Sequence, residues 1–92
     1  MKEKTLESYL RRQVKKAGGE CIKWEAPGSP GVPDRVIIMP NNRIVFAEIK
    51  NPNGKGRLSA RQRVMIKRLK SLGADVRVVS NKNQVEKIIA PD

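Results

Sequence analysis

The sequence predicts an α/β fold in which helices flank a mixed β-sheet. Apolar residues recur at helical spacing in three stretches and concentrate in short runs typical of strands in four others. Their order is helix, strand, strand, strand, helix, strand, helix. The strand-helix-strand crossover in that order places the third and fourth strands parallel, beside an antiparallel hairpin. Because 92 residues support only one hydrophobic core, we expect residues 1–92 to form a single domain.

The first half of the chain begins with a predicted amphipathic helix over residues 4–17. Its apolar residues share one side of the helix, and Gly18-Gly19 ends the pattern as a C-cap would. These apolar residues are Leu6, Tyr9, Leu10, Val14 and Ala17. A strand is predicted over residues 21–25. The three prolines and two glycines of residues 26–33 then predict a loop.

A β-hairpin is predicted next. Its strands are residues 35–39 and residues 43–50. A two-residue turn at Asn41-Asn42 would pair Pro40 with Arg43. In the same register Asp34 falls opposite Ile49, at the end of the hairpin away from the turn.

The second half of the chain contains the crossover helix and the last strand. The helix begins at Ser59, carries apolar residues at helical spacing and is closed by Gly73. Residues 76–79 follow as a β-branched strand, and residues 81–89 predict a short final helix.

Composition restricts the possible functions. A net charge of +11 and a pI near 10.4 favour binding to a polyanion, with nucleic acid first. A basic solvated surface, a ribosome binder or a membrane-surface binder has the same signature. No apolar stretch reaches the roughly 18 residues of a membrane span and no signal peptide is recognisable, so the sequence predicts a cytoplasmic protein.

The chain has one cysteine and no histidine. An intramolecular disulfide and a cysteine zinc site are therefore excluded, and Cys21 is interpreted as a small core residue. Without histidine, catalysis has to use carboxylates, lysine or tyrosine.

Asp34, Glu48 and Lys50 are the candidate site. Asp34 precedes one strand of the hairpin, while Glu48 and Lys50 project from one face near the end of the other. Carboxylates at neighbouring strand ends supply the oxygen ligands that Mg²⁺ requires, and the Ile49 backbone carbonyl adds another. A solvated strand face is the alternative for an alternating Glu and Lys. Phe46 shares their face and favours a partly apolar surface instead.

Four motifs in order resemble the VRR-NUC family, a branch of the PD-(D/E)XK nuclease superfamily. They are Glu3 or Glu7 in the first helix, Gly31-Val32-Pro33-Asp34, Glu48-Ile49-Lys50, and Gln62 in the second helix. The resemblance covers nearly the whole chain and is closest to the small stand-alone members found in phages. It implies a restriction-endonuclease-like core and a magnesium-dependent DNA endonuclease.

The resemblance also implies roles for these residues. Asp34 and Glu48 would bind Mg²⁺, with Mn²⁺ as a substitute, and Lys50 would serve the attacking water. The helical wheel favours Glu3 over Glu7 as a further acidic residue, because Glu3 lies nearer the middle of the apolar stripe. An acid favoured in the first turn of a helix is the alternative.

Gln62 has two possible roles. Ser59-Ala60-Arg61-Gln62 is a capping box in which Gln62 bonds back to Ser59, while the resemblance adds a contact in the active site.

Five basic residues are predicted DNA contacts. They are Lys23, Arg35, Lys55, Arg57 and Arg61. The resemblance implies branched DNA such as Holliday junctions as the substrate and a homodimer as the active form, because symmetric cutting needs two sites related by a twofold axis. We expect no small-molecule cofactor and no membrane partner. The alternatives are a non-catalytic nucleic-acid-binding module on the same fold and an RNA-binding protein.

Overall fold

The computed structural model describes residues 2–52 and 57–90 and confirms the predicted order of elements. The helices are α1 (Glu3–Lys16), α2 (Ala60–Ser71) and α3 (Lys82–Ile89). The strands are β1 (Glu20–Lys23), β2 (Arg35–Met39), β3 (Arg43–Ile49) and β4 (Asp75–Val79). None of the helices in the described ranges is long and apolar enough to cross a membrane.

The four strands form one mixed sheet in the order β1-β2-β3-β4. The first three are antiparallel, and β4 is parallel to β3 because α2 carries the chain back to the same end of the sheet. The predicted α/β class with a mixed sheet is therefore confirmed.

The predicted hairpin register is wrong by one residue. Met39, not Pro40, is opposite Arg43, and the loop has three residues. Pro40 has no N–H with which to complete a hydrogen-bonded pair, so it belongs to the loop. Asn41 and Asn42 take positive φ angles of 66° and 63°, which asparagine tolerates better than most residues. The corrected register brings Asp34 level with Glu48 instead of Ile49.

The hydrophobic core lies between one face of the sheet and the pair α1 and α3. Its buried residues come from both helices and from one face of strands β2, β3 and β4. They are Leu6, Leu10, Val14, Ile37, Met39, Val45, Ala47, Ile49, Val79, Val85 and Ile88. Cys21 packs against this core and is half-buried, which agrees with its interpretation as a small core residue.

The opposite face of the sheet is covered only in part. Helix α2 packs near β4, where Ile66 is buried. Farther along the sheet Ile22, Ile38 and Ile44 are 43–50% exposed, and Ile38 pairs directly with Ile44. We call these three isoleucines the outer sheet face.

Candidate active site

A cavity of about 370 Å³ opens between the start of α1 and the ends of the central strands. Its walls combine the first-helix acids with the acids of the hairpin. The lining residues are Glu3, Lys4, Glu7, Lys23, Asp34, Glu48 and Ile49. The fold thus brings together predicted site residues that are distant in sequence.

Asp34 is held at the mouth of β2 by two backbone contacts. Its Oδ2 accepts a hydrogen bond from the Ile49 N–H at 3.1 Å, and its own carbonyl accepts one from the Trp24 N–H at 2.9 Å. The carboxylate of Asp34 therefore has a fixed position next to the end of β3.

Glu48 is a carboxylate on the central strand and is only 2% exposed. Its Oε2 accepts a hydrogen bond from Gln62 Nε2 at 2.8 Å and lies 3.3 Å from Lys50 Nζ. Its Oε1 is buried and has no hydrogen-bond partner within the described part of the chain. A buried carboxylate oxygen without a donor is costly, so this atom is poised to receive a proton or a cation.

The electrostatics of Glu48 agree with that geometry. Burial raises the pKa of its carboxyl group, and the neighbouring Asp34 carboxylate raises it further. The ammonium group of Lys50 and a weaker contribution from the Asp34 backbone act in the opposite direction and only partly compensate. The ionised form of Glu48 is therefore disfavoured where the two carboxylates meet.

Gln62 connects the cap of α2 to both charged groups of the site. Its Oε1 accepts from the Ser59 N–H at 2.9 Å and from Lys50 Nζ at 3.1 Å, while its Nε2 donates to Glu48. Ser59 completes the capping box by accepting from the Gln62 N–H. The two roles considered for Gln62 are thus compatible in one side-chain orientation.

We expect Gln62→Ala to lower nuclease activity about 10- to 100-fold, because Glu48 and Lys50 lose the amide that orients both. Ser59→Ala is the matched control. It removes the cap at a cost of about 1 kcal/mol but leaves the contacts of the amide with Glu48 and Lys50 in place. Initial cleavage rates of the two variants, measured where both are folded, separate positioning from capping. Equal losses would assign Gln62 to the helix cap alone.

The two acids of α1 differ in burial, in the reverse of the predicted order. Glu7 is half-buried and its Oε2 accepts from Arg35 Nε at 3.0 Å, whereas Glu3 is exposed. The wheel argument is wrong about burial because Glu3 is the first helical residue and the buried stripe begins only at Leu6. Both acids nevertheless line the cavity that contains Asp34.

The Pro-rich loop is pressed against the start of α2 at Gly31. This residue has φ +91°, and a Cβ added to it would lie 2.6 Å from the carbonyl oxygen of Arg61. Only glycine satisfies both conditions. Gly31 therefore fixes the distance between the loop that leads to Asp34 and the helix that carries Gln62.

We expect Gly31→Ala to lower the free energy of unfolding by at least about 2 kcal/mol, from backbone strain and the collision with Arg61 together. Gly28→Ala is the control, because Gly28 has φ +83° but nothing within 4 Å of an added Cβ. Its loss should be limited to strain of about 1 kcal/mol. Urea denaturation of both variants measures the difference, and equal losses would exclude the contact with Arg61.

The predicted DNA contacts have different surroundings. Lys23 is exposed on the cavity wall, with Nζ 3.6 Å from a carboxylate oxygen of Glu25. The Arg35 side chain is only 12% exposed and is ion-paired with Glu7, so it is placed to position that acid. Arg57 and Arg61 are exposed near the start of α2. Lys55 lies outside the described residues.

The donor set suits a hard divalent cation. Two carboxylates converge, and the Ile49 carbonyl faces the same side of β3 as the Ile49 N–H that binds Asp34. Within residues 2–52 and 57–90, no group of three acidic, histidine or cysteine side chains forms a metal-binding cluster. A site with two carboxylates and one carbonyl suits Mg²⁺, which is commonly held by one or two carboxylates and keeps several waters.

The fold and the site define a class. A mixed four-stranded sheet flanked by helices, with Asp, Glu and Lys at the ends of adjacent central strands, is consistent with a PD-(D/E)XK-like nuclease fold. Comparison with known proteins narrows this class. The family model of the VRR-NUC domain matches residues 2–83, so the chain belongs to the VRR-NUC family.

Two relatives agree with that assignment. A solved structure described as "VRR_NUC domain" superposes with a TM-score of 0.85 at 29% identity and covers 97% of this chain and 95% of that one. The phage protein "Putative nuclease p44", from Acyrthosiphon pisum secondary endosymbiont phage 1, is 42% identical over 55 residues. That match spans 60% of this chain and 59% of the length of the relative. The predicted resemblance is confirmed, and family membership supports a nuclease.

Proposed function

We propose that the chain is a magnesium-dependent DNA endonuclease whose cation is held by Asp34 and Glu48, with the Ile49 carbonyl as a third protein oxygen. The observation that carries this proposal is the Oε1 of Glu48, which is buried beside the Asp34 carboxylate and has no hydrogen-bond partner in residues 2–52 and 57–90. When bound, Mg²⁺ supplies a Lewis acid that polarises a phosphate oxygen and lowers the pKa of water, and Mn²⁺ can substitute for it.

Lys50 is the group that we assign to the attacking water. Its side chain is 15% exposed, and its ammonium group is held between Glu48 Oε2 and Gln62 Oε1. An ammonium group fixed in this way orients the water and offsets the charge that develops on the phosphate. No histidine is required for this chemistry.

A further carboxylate from α1 completes the proposed site. Glu3 and Glu7 both line the cavity, and Mg²⁺ retains waters through which a more distant carboxylate can act. Arg35 holds Glu7 in place, whereas Glu3 is exposed on the wall of the cavity.

The proposed substrate is branched DNA such as a Holliday junction, recognised by shape and charge. The net charge of +11 supports attraction to the phosphate backbone without sequence readout. The test is a panel of labelled junction, flap, fork, duplex and RNA substrates incubated with Mg²⁺ or with EDTA. Metal-dependent cutting that is fastest on branched DNA is expected. Binding without cutting would instead identify a non-catalytic module, and preference for RNA an RNA-binding protein.

We also propose that the active form is a homodimer joined through the outer sheet face. Two strongly basic copies repel each other except where they meet on uncharged surface, and these isoleucines provide it. Ile38→Lys with Ile44→Lys should therefore yield a monomer by light scattering. Val64→Lys with Leu72→Lys, at exposed apolar positions of α2 and of its C-cap, adds the same charge and should leave the dimer intact. A dimer that survives the first change would exclude this interface.

A further inference from the structure

A second cleft, of about 470 Å³, lies between α1 and β1. Its lining is mainly cationic, and none of its residues belongs to the proposed catalytic set. The lining residues are Ser8, Arg11, Arg12, Lys15, Glu20 and Cys21. We call this the α1–β1 cleft.

The α1–β1 cleft continues the catalytic cavity. Along α1, Glu7 lines the cavity and the next residue, Ser8, lines the cleft. Along β1, Lys23 lines the cavity, while Cys21, two residues earlier, lines the cleft. Helix α1 thus runs from the cavity to the cleft, and β1 runs back from the cleft to the cavity. Because the two openings are neighbours on both elements, we infer that they form one groove.

Charges from both ends of this groove converge on Cys21. Burial raises the pKa of its thiol, while the guanidinium groups of Arg35 and Arg11 act to lower it and the carboxylate of Glu7 acts to raise it. Arg35 and Glu7 form the ion pair beside the catalytic cavity, and Arg11 lines the cleft. The Arg11 guanidinium of the cleft and the ion pair beside the cavity therefore act on the same thiol.

The charge of the groove changes sign along its length. The catalytic end contains Asp34 and Glu48, whereas the far end presents Arg11, Arg12 and Lys15, all exposed. The acid at the far end, Glu20, is exposed and its Oε1 lies 3.0 Å from Lys15 Nζ. Such a surface pair is weak, with a typical value of about 0 to 1 kcal/mol, so a phosphate can displace Glu20 at little cost.

The groove has the length of a nucleic-acid strand segment. Lys4 and Lys15 stand eleven residues apart on α1, or about 16 Å at the rise of an α-helix. One strand of duplex DNA places a phosphate about every 3.4 Å along the axis, so this distance accommodates about five phosphates. The three cleft cations occupy about 6 Å of this length, since Arg11 and Lys15 are four residues apart. Their long side chains can therefore reach about two to three neighbouring phosphates.

We propose that the α1–β1 cleft binds the sugar-phosphate backbone of the DNA strand as it leaves the cleavage site, through Arg11, Arg12 and Lys15. The inference rests on the proposed function, since it gives the path of that substrate. It assigns the main backbone contact to the far half of α1. The groove beside α2 is lined mostly by apolar groups, which gives a phosphate backbone less to bind.

The test compares two triple variants that remove equal charge from exposed helix surfaces. Arg11→Ala, Arg12→Ala and Lys15→Ala empties the cleft of cations. Lys67→Ala, Arg68→Ala and Lys70→Ala removes the same charge from α2. Alanine is a good helix former, so both variants should fold. DNA binding is measured by fluorescence anisotropy in EDTA over a range of salt concentrations.

Each phosphate contact contributes about 0.9 to the slope of log K against log salt. We expect the slope of the cleft variant to be smaller in magnitude by about 2 to 3. At moderate salt this variant should bind DNA about 10- to 100-fold more weakly than the wild type. The loss of affinity in the α2 variant should be at least about tenfold smaller. Equal losses of affinity would mean that only net charge matters. A larger loss in the α2 variant would mean that the DNA backbone binds along α2. Either result overturns the proposal.

Cys21 provides a second readout, because it is the only cysteine in the chain and lines the cleft. Saturating DNA should slow its alkylation by a small maleimide several-fold in the wild type. An unchanged rate at saturation would overturn the proposal.

The two proposals fail in different ways. A wild type that binds DNA with the expected salt slope and cleft dependence but does not cut it with Mg²⁺ removes the nuclease proposal and leaves the cleft assigned. If the wild type cuts DNA and the cleft variant binds and cuts DNA normally, the cleft proposal is rejected and the nuclease proposal stands. Absence of DNA binding by the wild type removes both.

Discussion

Asp34→Asn is expected to lower DNA cleavage in Mg²⁺ at least about 1000-fold, which corresponds to about 4 kcal/mol of transition-state stabilisation. The substitution keeps the shape of the side chain and an oxygen that can accept from the Ile49 N–H. It removes the negative charge of one of the two carboxylates that we propose as ligands of Mg²⁺. The fold should therefore survive while the chemistry is lost, and single-turnover cleavage of a labelled substrate measures the loss.

Asp75→Asn is the matched control for this change. Asp75 starts β4, opposite Val45 and away from the strand ends at the site, and it pairs with Arg77 on the surface. It undergoes the same chemical change and should keep nearly full activity. If Asp34→Asn cut DNA as fast as Asp75→Asn, Asp34 would have no part in the chemistry.

Glu48→Gln is expected to separate activity from stability. Cleavage should again fall at least about 1000-fold, because the second charged ligand is lost. In EDTA, however, the variant should unfold at a higher temperature than the wild type near neutral pH. Burial and the Asp34 carboxylate both disfavour the ionised form of Glu48, and glutamine removes that penalty.

The pH dependence of stability follows from the raised pKa of Glu48. The folded protein binds this proton more tightly than the unfolded chain does, so protonation stabilises the fold. In EDTA the stabilisation is fully present below the unfolded pKa and is lost as the pH rises through the folded pKa. Glu48→Gln should lack this component, and its advantage over the wild type should disappear at acid pH.

Thermal unfolding followed by circular dichroism across this pH range tests the prediction. Glu86→Gln is the control, since Glu86 is exposed on α3 and should show no such effect. A Glu48→Gln variant that is less stable than the wild type in EDTA at neutral pH would mean that the contact with Lys50 outweighs the cost of burial.

The elements of the fold were predictable because each has a strong local pattern. The stripe that contains Leu6, Leu10 and Val14 specifies α1, and the aliphatic runs around the Asn41-Asn42 turn specify a hairpin. Helix α2 was predictable at both ends, from the capping box at Ser59 and the glycine after its last turn. These signals act between residues a few positions apart.

The hairpin register was predicted incorrectly because of Pro40, which precedes the two asparagines of the turn. The prediction counted only the two asparagines as the turn and ignored that Pro40 cannot donate a hydrogen bond. With Pro40 assigned to the loop, Met39 meets Arg43 and the acids at the far end of the hairpin become level. The correct register therefore follows from the sequence once the missing N–H of Pro40 is taken into account.

The long-range contacts of the site could not be predicted in the same way. That Arg35 pairs with Glu7, and that Gln62 binds Glu48 and Lys50 together, depends on how α1 and α2 pack on the sheet. Sequence spacing indicated that Gln62 caps a helix, and family resemblance added an active-site contact. Only the packed structure shows that one amide makes both sets of contacts.

The cost of burying Glu48 is consistent with function. A buried position on β3 would be more stable with an apolar residue, yet a carboxylate stands there, and one of its oxygens has no donor among the described residues. Ionisable groups with shifted pKa values concentrate at functional sites for this reason. The local loss of stability and the proposed chemistry have the same origin.

The most direct measurement is anomalous diffraction from crystals of the protein grown with Mn²⁺ in place of Mg²⁺. We expect an anomalous peak at coordination distance from both the Asp34 carboxylate and Glu48 Oε1, and no such peak in Asp34→Asn crystals. A fully active protein whose Mn²⁺ binds elsewhere, with Glu48 Oε1 still lacking a partner, would contradict the proposed site.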